Sequence, residues 1–437
     1  MNPADRGAKA TAPVAVNAEL SETVRKLAEE DHSSVVSLVQ QLVRIPSRGG
    51  VDPYDPILDL LLGWLTDRDL GARRLVDRTT GQCVGIVCDV VGANPGPRYV
   101  LDACADTAPF GDPNAWKYPP TSGVIEDGWL HGRGSADSKA AIAIFVHIAA
   151  RLRRQQARLH GTLTILFDAD EHSGGFGGAK AYFSGDQAPR DVAGVMIGYP
   201  GTDQLVVGGR GFLRARIVVR GQAGHTGSER ANGSANAAVK AARLVQALNQ
   251  HHCPGPVDTA VNLPPKLTVT AIHGGEGYSV IPDHCAVDVD VRLTPSYAQQ
   301  TAKTLIEQTV AELDEQFPTG KPCTIDFHES WPAYHLGETA PIRAALTLAS
   351  QHQMPKAPPA RVAGPSNIGN YLAKLGIDAT AGLGVVYHGL HGTDERIDLS
   401  TIPMIQAIYH EAVLALLSLD PPIDFDRSGC VGHGDAL

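Results

Sequence analysis

Apolar residues recur along the chain at two spacings, and these spacings predict helices that alternate with strands. Over residues 20–45, Val35, Leu38 and Leu42 lie on one helical face, and the predicted helix ends before Pro46. The same reasoning predicts helices over 57–70, 138–152, 341–352 and 402–417 and strands over 83–91, 98–104, 163–167, 192–198 and 379–383. Such alternation predicts an α/β sheet packed on both faces.

A different order interrupts this pattern between residues 209 and 333. The predicted elements there are strand 212–219, helix 234–250, strands 266–273 and 284–292, helix 296–317 and strand 323–327. This β-α-β-β-α-β set indicates a small domain inserted into the larger one. We therefore expect a catalytic domain formed by residues 20–208 and 334–437, an inserted domain over 209–333, and a mobile leader over 1–19.

Composition narrows the class of protein. At 437 residues, with 43% hydrophobic and 19% charged residues, the chain is typical of a soluble enzyme of two or three domains. The net charge of -10 and the lack of a basic cluster argue against nucleic acid as a partner. We find no signal peptide or membrane-spanning run, and the seven scattered cysteines form no CxxC, so we expect a reduced, cytoplasmic protein.

Polar residues follow the predicted strands in a way that indicates a metal site. They are Asp106, Asp137, Asp168, Asp170, Glu171, His172, His391 and Asp394. Strand ends at one sheet edge form pockets, and two imidazoles with one carboxylate suit a catalytic Zn, Mn or Fe ion. A neighbouring carboxylate can deprotonate the water that the ion activates. On these residues alone, an acidic loop with an ordinary loop histidine remains an open alternative.

The motifs resemble those of the M20 metallohydrolases, the group of carboxypeptidase G, aminoacylase and acetylornithine deacetylase. The resemblance covers nearly the whole chain after Leu20. It rests on CADTAP at 104–109, Trp116, Pro119, GRG at 132–134 with Asp137 and Lys139, DEH at 170–172 with Gly174-Gly175, GYP at 198–200, His225, Asn236-Ala237, and His391 with Asp394-Glu395. It implies a sheet-based catalytic domain with an inserted ferredoxin-like α+β lid that often dimerises.

Departures from the family pattern change the expected ligand set. Members usually hold two metals bridged by the aspartate that matches Asp137, and one metal takes a histidine and an acid at positions that here hold Cys104 and Tyr199. Two ligands of that metal site are therefore replaced in this chain. The resemblance places the other site at Asp137, His172 and His391, and so implies one divalent transition metal (Mn, Zn, Fe or Co) per subunit. A second ion bound through Cys104 and Tyr199 remains an alternative.

The resemblance also implies roles for other residues. Glu171 would be the general base, Asp106 would orient a metal ligand, and His225 would stabilise developing negative charge, in a partner's site in dimeric relatives. The expected substrate contacts are Cys104, Tyr199, Arg210, Arg292, Asn367 and Gly369. Gly369 stands where relatives that bind a free amino-acid carboxylate often have arginine, which puts a standard peptide or acyl-amino-acid substrate in doubt.

The preferred hypothesis is a hydrolase of a non-peptide C–N bond, forming a homodimer or a higher even homo-oligomer. Resemblance to an M20 relative with such chemistry implies that it would release ammonia from a small electron-poor aromatic amine, such as 5-nitroanthranilate, by attack of an activated hydroxide on the ring. The first alternative is an M20-type amide hydrolase acting on an N-acyl amino acid or dipeptide. The second is a non-catalytic binding protein on the same fold.

Overall fold

The computed structural model describes residues 18–227 and 236–417, so residues 1–17 of the predicted leader lie outside the described part. The helices are α1 (Ala18–Arg44), α2 (Asp55–Thr66), α3 (Ala140–Arg153), α4 (Gly177–Phe183), α5 (Ala237–Gln250), α6 (Gln299–Gln316), α7 (Pro341–Gln353), α8 (Ile368–Lys374) and α9 (Ile402–Leu417). The strands are β1 (Ala72–Val76), β2 (Cys83–Val91), β3 (Asn94–Cys104), β4 (Val124–Glu126), β5 (Trp129–His131), β6 (His160–Asp168), β7 (Val192–Ile197), β8 (Leu205–Gly209), β9 (Gly211–Arg220), β10 (Gly224–His225), β11 (Lys266–Gly274), β12 (Val280–Ile281), β13 (His284–Leu293), β14 (Thr324–Trp331), β15 (Tyr334–His335), β16 (Ala360–Ala363), β17 (Ala379–Ala381), β18 (Tyr387–His388) and β19 (Arg396–Asp398).

The chain divides into two compact units. Unit 1 contains the described residues up to Val207, together with Leu336–Ala360 and those from Gly376 onward. Unit 2 contains Gly208–His335 and Arg361–Leu375. The second segment of unit 2 falls within the range predicted for the catalytic domain. Its place in unit 2 has a physical basis, because the Asn370 side chain donates to the backbone oxygens of Gly209, Arg210 and Pro332.

Unit 1 is built on a six-stranded sheet with the order β1-β2-β6-β3-β7-β17. Strands β6, β3, β7 and β17 run parallel, whereas β1 and β2 are antiparallel additions at one edge. Apolar residues of α1, α2, α3, α7 and α9 form one core with alternate residues of the central strands. Helix α9 lies in an apolar stretch long enough to cross a membrane, but most of that stretch is buried, as in a core helix.

The other face of this sheet is covered by α4, which follows the predicted site loop. A Cβ at Gly178 would lie 2.4 Å from Val84 O and 2.6 Å from Asp168 Cβ, so only glycine allows this approach. The sheet is therefore packed on both faces, as predicted.

Unit 2 has a four-stranded antiparallel sheet with the order β11-β13-β9-β14. Helices α5 and α6 pack on one face through the buried residues of a separate core. The chain order of these elements is the predicted β-α-β-β-α-β arrangement, so the ferredoxin-like topology of the inserted segment is confirmed. Strand β11 is an edge strand, and its residues alternate between exposed and buried or half-buried up to Ile272, after which the strand is exposed.

Short elements account for most differences from the sequence prediction. Strands β4, β5, β18 and β19 form a small sheet of two- and three-residue strands, too short to show a period in the sequence. The helix predicted from residue 138 begins at Ala140, because Ser135–Lys139 forms a π-helical turn with non-helical dihedrals at Asp137 and Ser138. This turn places Asp137 at the candidate site.

Candidate metal centre

Three side chains from distant parts of unit 1 converge at the carboxyl end of the sheet. Asp137 Oδ2 lies 2.9 Å from His391 Nε2 and 3.4 Å from His172 Nε2. Asp137 comes from the π-helical turn before α3, His172 from the turn after β6, and His391 from the loop between β18 and β19. The three ligand atoms all lie within 4.8 Å of one another.

This arrangement fits a divalent transition metal. Ligand atoms about 2.1 Å from one ion at tetrahedral angles stand roughly 3.4 Å apart, close to the observed separations. Two imidazole nitrogens and one carboxylate oxygen also match the donor types that Zn, Mn, Fe and Co accept. The donor set leaves coordination positions for water and substrate.

Local sequence explains how His172 reaches this position. The apolar run of β6 ends at Asp168, and the following turn is closed by bonds from Gly174 N to Glu171 O and from Phe176 N to Asp170 O. Asp170 and Gly174 have left-handed φ values of 74° and 82°, which aspartate and glycine tolerate better than other residues. The turn thereby directs two consecutive side chains, Glu171 and His172, into the site.

The second oxygen of Asp137 faces a different environment. Asp137 Oδ1 lies 3.7 Å from Cys104 Sγ, and Cys104 Sγ lies 3.3 Å from Ser138 Oγ. Cys104 is only 2% exposed, and burial raises the pKa of its thiol well above the ordinary value, assisted by the nearby Glu171 and Asp137 carboxylates. The thiol therefore stays protonated and can donate to Asp137.

Asp106 holds the turn that bears the candidate base and ligand. Its Oδ1 accepts from Glu171 N at 3.1 Å, and its Oδ2 accepts from His172 N at 2.9 Å. Asp106 Oδ2 also lies 3.4 Å from His172 Nδ1, the ring nitrogen on the side away from Asp137. Cys104, Asp106 and His172 form a second group with metal-ligating atoms within 4.8 Å. Its carboxylate thus already accepts two backbone N–H groups, a geometry compatible with the orienting role expected for Asp106.

Charges within the site shift the pKa values of its members. Burial opposes ionisation of Asp137, but the neighbouring imidazoles of His172 and His391 hold its pKa below the ordinary range. For His172, burial lowers the pKa, yet the carboxylates of Asp106 and Asp137 raise it to about 11. The carboxylates of Asp106 and Asp137 thus favour the protonated form of His172.

Glu171 stands next to this cluster with a partner of its own. Burial raises the pKa of the Glu171 carboxyl well above its usual value, and the negative charges of Asp137 and Asp106 raise it further. The hydroxyl of Tyr199 donates to Glu171 Oε1. The structure therefore brings Tyr199, Cys104, Glu171 and Asp106 together with the three candidate ligands in unit 1.

The other predicted contacts belong to unit 2. Arg210 donates to the backbone oxygens of Gly364 at 3.0 Å and Pro264 at 3.1 Å. Arg292 donates to Ser366 Oγ at 3.2 Å, and both arginines line a pocket of about 550 Å³. Burial lowers the pKa of Arg210, as does the positive charge of Arg292.

Two predicted contacts and the lid histidine also have local roles within unit 2. Asn367 caps α8, because its Oδ1 accepts from Gly369 N at 2.8 Å. A Cβ at Gly369 would lie 2.3 Å from Tyr334 Oη, so this packing leaves no room for the arginine that relatives often carry there. His225 is exposed on β10 and accepts from Gly227 N at 3.1 Å.

Ser138 contributes to the site although the sequence did not indicate it as a site residue. Its Oγ accepts from Cys104 N at 3.0 Å and fixes the end of β3 beside Asp137. The only signal in the sequence is adjacency to Asp137, because serine in a polar motif is common.

Comparisons with known proteins agree with this fold. The model of peptidase family M20/M25/M40 matches residues 102–415. Succinyl-diaminopimelate desuccinylase from Stenotrophomonas maltophilia (strain R551-3) is 28% identical over 331 residues, covering 74% of this chain and 84% of that protein. The enzyme of that name from Cereibacter sphaeroides is 28% identical over 384 residues, covering 86% and 96%.

Solved structures show the same architecture at low identity. The M20 family metallo-carboxypeptidase Sso-CP2 from Sulfolobus solfataricus superposes with a TM-score of 0.69 at 16% identity, over 88% of this chain and 98% of that one. The Bacillus subtilis YXEP protein, described as a dinuclear metal binding peptidase, gives a TM-score of 0.63 at 15% identity, over 89% and 98%.

The family match covers more than half of the chain and contains Asp137, His172 and His391. From this coverage, and from the fold and candidate metal centre described above, we conclude that the chain belongs to peptidase family M20/M25/M40 and is a metallohydrolase of that family.

Proposed function

We propose that the protein hydrolyses the amide bond of a small N-acylated amino acid, using one divalent metal held by Asp137, His172 and His391. The observation that supports this most is the convergence of two imidazoles and one carboxylate within 4.8 Å at the sheet edge. The desuccinylase relatives favour this amide-hydrolase alternative over the aromatic amine preferred from sequence.

The two sides of Asp137 support a proposal about the number of ions. Oδ2 faces both imidazoles, whereas Oδ1 lies 3.7 Å from the buried thiol of Cys104. A protonated thiol beside Oδ1 offers a second ion a weaker ligand than the histidine that relatives have at this position. Tyr199, the other replaced ligand position, is engaged with Glu171. We therefore propose one ion per subunit.

When bound, the ion supplies Lewis-acid activation of water and of the scissile group. Glu171 takes the proton from the attacking water at a carboxylate oxygen and returns it to the leaving nitrogen. Its raised pKa suits it to hold that proton between the two steps. Tyr199 orients the carboxylate through its hydroxyl, and Asp106 fixes the backbone of Glu171 and His172.

The proposed substrate carries a negative charge, which two arginines of unit 2 could bind. Arg210 and Arg292 are cationic neighbours that line one pocket of unit 2. Guanidinium groups bind carboxylates by paired hydrogen bonds, so we propose them as contacts for an anionic group of the substrate. His225 remains proposed as the group that stabilises developing negative charge, and edge strand β11 as the edge through which the predicted dimer forms.

One observation keeps the aromatic aminohydrolase as a second candidate. Cys104 and Tyr199 replace both ligands that relatives use for a second ion, and Gly369 has no room for the usual carboxylate-binding arginine. These replacements favour a substrate other than a standard peptide, and the aromatic amine is the second candidate for that reason.

A paired assay separates these candidates. Metal-free protein is loaded with Mn, Zn or Co and incubated with N-succinyl and N-acetyl amino acids, while free amine is measured. A parallel sample with a nitroaromatic amine is followed by absorbance. We expect metal-dependent amine release from the N-acyl amino acids, at rates that EDTA abolishes.

Two variants serve as controls. Glu171→Gln should keep the metal and lose turnover, and His172→Ala should lose both. Ring substitution without amide cleavage would select the aminohydrolase. Turnover of neither substrate class with any of the three metals would contradict both proposals.

A further inference from the structure

A buried ion pair joins the two segments that hold Asp137 and His391. Arg133 Nη1 donates to Glu395 Oε2 at 2.6 Å, and the two side chains are 2% and 1% exposed. Neither residue touches the three candidate ligand side chains in the contacts described above. Arg133 belongs to the GRG motif at 132–134, and Glu395 belongs to the motif of His391 with Asp394-Glu395. The proposed chemistry gives neither residue a role.

Each member of the pair also holds the backbone of a ligand segment. Glu395 Oε1 accepts from Ala136 N at 3.0 Å and from Asp137 N at 3.4 Å. Arg133 Nη2 donates to Gly392 O at 2.8 Å and to His391 O at 3.2 Å. Arg133, from the segment that holds Asp137, therefore binds the backbone at His391. Glu395, from the segment that holds His391, binds the backbone at Asp137.

The His391 segment depends on such support. The His391 side chain is 56% exposed, against 7% for His172 and 6% for Asp137, so packing restrains it least. His391 and Asp394 have φ values of 57°, a left-handed conformation that costs free energy in residues other than glycine. Hydrogen bonds to the carbonyls of His391 and Gly392 hold this conformation in place.

We propose that the Arg133–Glu395 pair is a positioning device that sets the separation of the Asp137 carboxylate and the His391 imidazole, and with it metal affinity. The proposal rests on the metal site proposed above. Groups that fix ligands from outside the coordination shell typically contribute about 10–100-fold to metal affinity. Arg133 and Glu395 are thus positioning residues.

The test must separate positioning from folding, because breaking one half of a buried pair leaves an unpaired charge. The double variant Arg133→Met/Glu395→Gln removes both charges, while the amide oxygen of the substituted side chain can still accept from the two N–H groups. Arg133→Lys keeps the charge, but its single amine cannot reach the carboxylate and both carbonyls together.

A matched control exists in unit 2. Lys240 Nζ donates to Asp314 Oδ1 at 2.6 Å and to Phe317 O at 2.8 Å, and Asp314 accepts from Cys323 N at 2.8 Å. This pair has the same chemistry as Arg133–Glu395, whereas every proposed metal ligand lies in unit 1. Lys240→Met/Asp314→Asn should therefore leave metal affinity within about twofold of wild type.

The measurement is a Co²⁺ titration of the metal-free full chain against a competing chelator, with the visible Co²⁺ spectrum recorded at saturation and circular dichroism as a check of folding. We expect Co²⁺ affinity to fall by about 10–100-fold in both Arg133 variants, with an altered spectrum at saturation. Wild-type affinity and spectrum in a folded Arg133→Lys or double variant would overturn the proposal.

The wild-type and His172→Ala proteins distinguish this failure from failure of the metal site itself. If wild type binds no Co²⁺, or His172→Ala binds it equally well, the proposed function fails first. If both behave as predicted and the Arg133 variants match wild type, only the positioning proposal fails.

Discussion

The two oxygens of Asp137 face opposite kinds of chemistry. Oδ2 lies beside imidazoles from residues 35 and 254 positions away in the chain, and we propose that this side binds the metal. Oδ1 lies beside the thiol of Cys104, which is buried against Ser138, and we propose that this side binds no ion. The comparison suggests that the side chains next to each oxygen decide whether that oxygen takes part in a metal site.

The largest expected effect comes from removing an imidazole. His172→Ala deletes one of three proposed ligands, so metal affinity should fall by more than about 100-fold and metal-dependent turnover should be lost, with the fold retained. Elemental analysis after gel filtration and circular dichroism measure the two effects. His388→Ala, at an exposed histidine near His391, is the control. Full activity in His172→Ala would show that His172 is not a ligand.

Substitution of Glu171 tests the proposed proton transfer while the three proposed metal ligands stay in place. Glu171→Gln keeps the shape and the bond from Tyr199, but it cannot take a proton, so kcat should fall by about 10²–10⁴-fold. Metal content should stay at the wild-type value. A variant with normal kcat would exclude Glu171 as the base, and one without metal would indicate that Glu171 is a ligand.

The metal that we propose at Asp137, His172 and His391 should also be released as pH falls. Burial lowers the pKa of His172, but Asp106 and Asp137 raise it to about 11, so below that pH a proton competes with the metal. Apparent affinity should then weaken by roughly tenfold for each unit that pH falls, and the competition should end only as pH rises through the raised pKa. Co²⁺ titrations at pH 6, 7 and 8 measure this slope, and equal affinities would contradict it.

Substitution of Cys104, which lies beside Asp137 Oδ1, should have the smallest effect on metal affinity. Cys104→Ser keeps a hydrogen-bond donor beside Asp137 Oδ1, so we expect Co²⁺ affinity within about threefold of wild type and no change in metal content. Absence of a thiolate-to-cobalt absorption band in wild type would agree with this. Loss of one ion in the variant would mean that Cys104 is itself a ligand.

The elements that position the site were accessible from the sequence because they are long and periodic. Strand β6 ends one residue after its predicted end at 167, and α9 has the predicted bounds of residues 402–417. The motif positions Asp137, His172 and His391 were chosen by resemblance, and the structure brings them together. Periodicity alone could not have shown that convergence, because it describes local burial.

What the sequence could not show depends on contacts between distant residues. The Arg133–Glu395 pair spans 262 positions, and nothing local to either residue indicates it. The lack of room at Gly369, in α8, depends on Tyr334, which belongs to strand β15. The π-helical turn at Ser135–Lys139 moves the start of α3 from the predicted residue 138 to Ala140, although the alanine-rich sequence that follows favours plain helix.

The most direct test of the one-ion account is the metal content of purified wild-type protein, measured by elemental analysis after loading with excess Mn, Zn or Co and removal of free metal. Cys104→His/Tyr199→Glu, which restores the ligand types found in relatives, is the positive control for two ions. We predict one tightly bound ion per chain in wild type, lost in His172→Ala. Two tightly bound ions per wild-type chain would contradict the account.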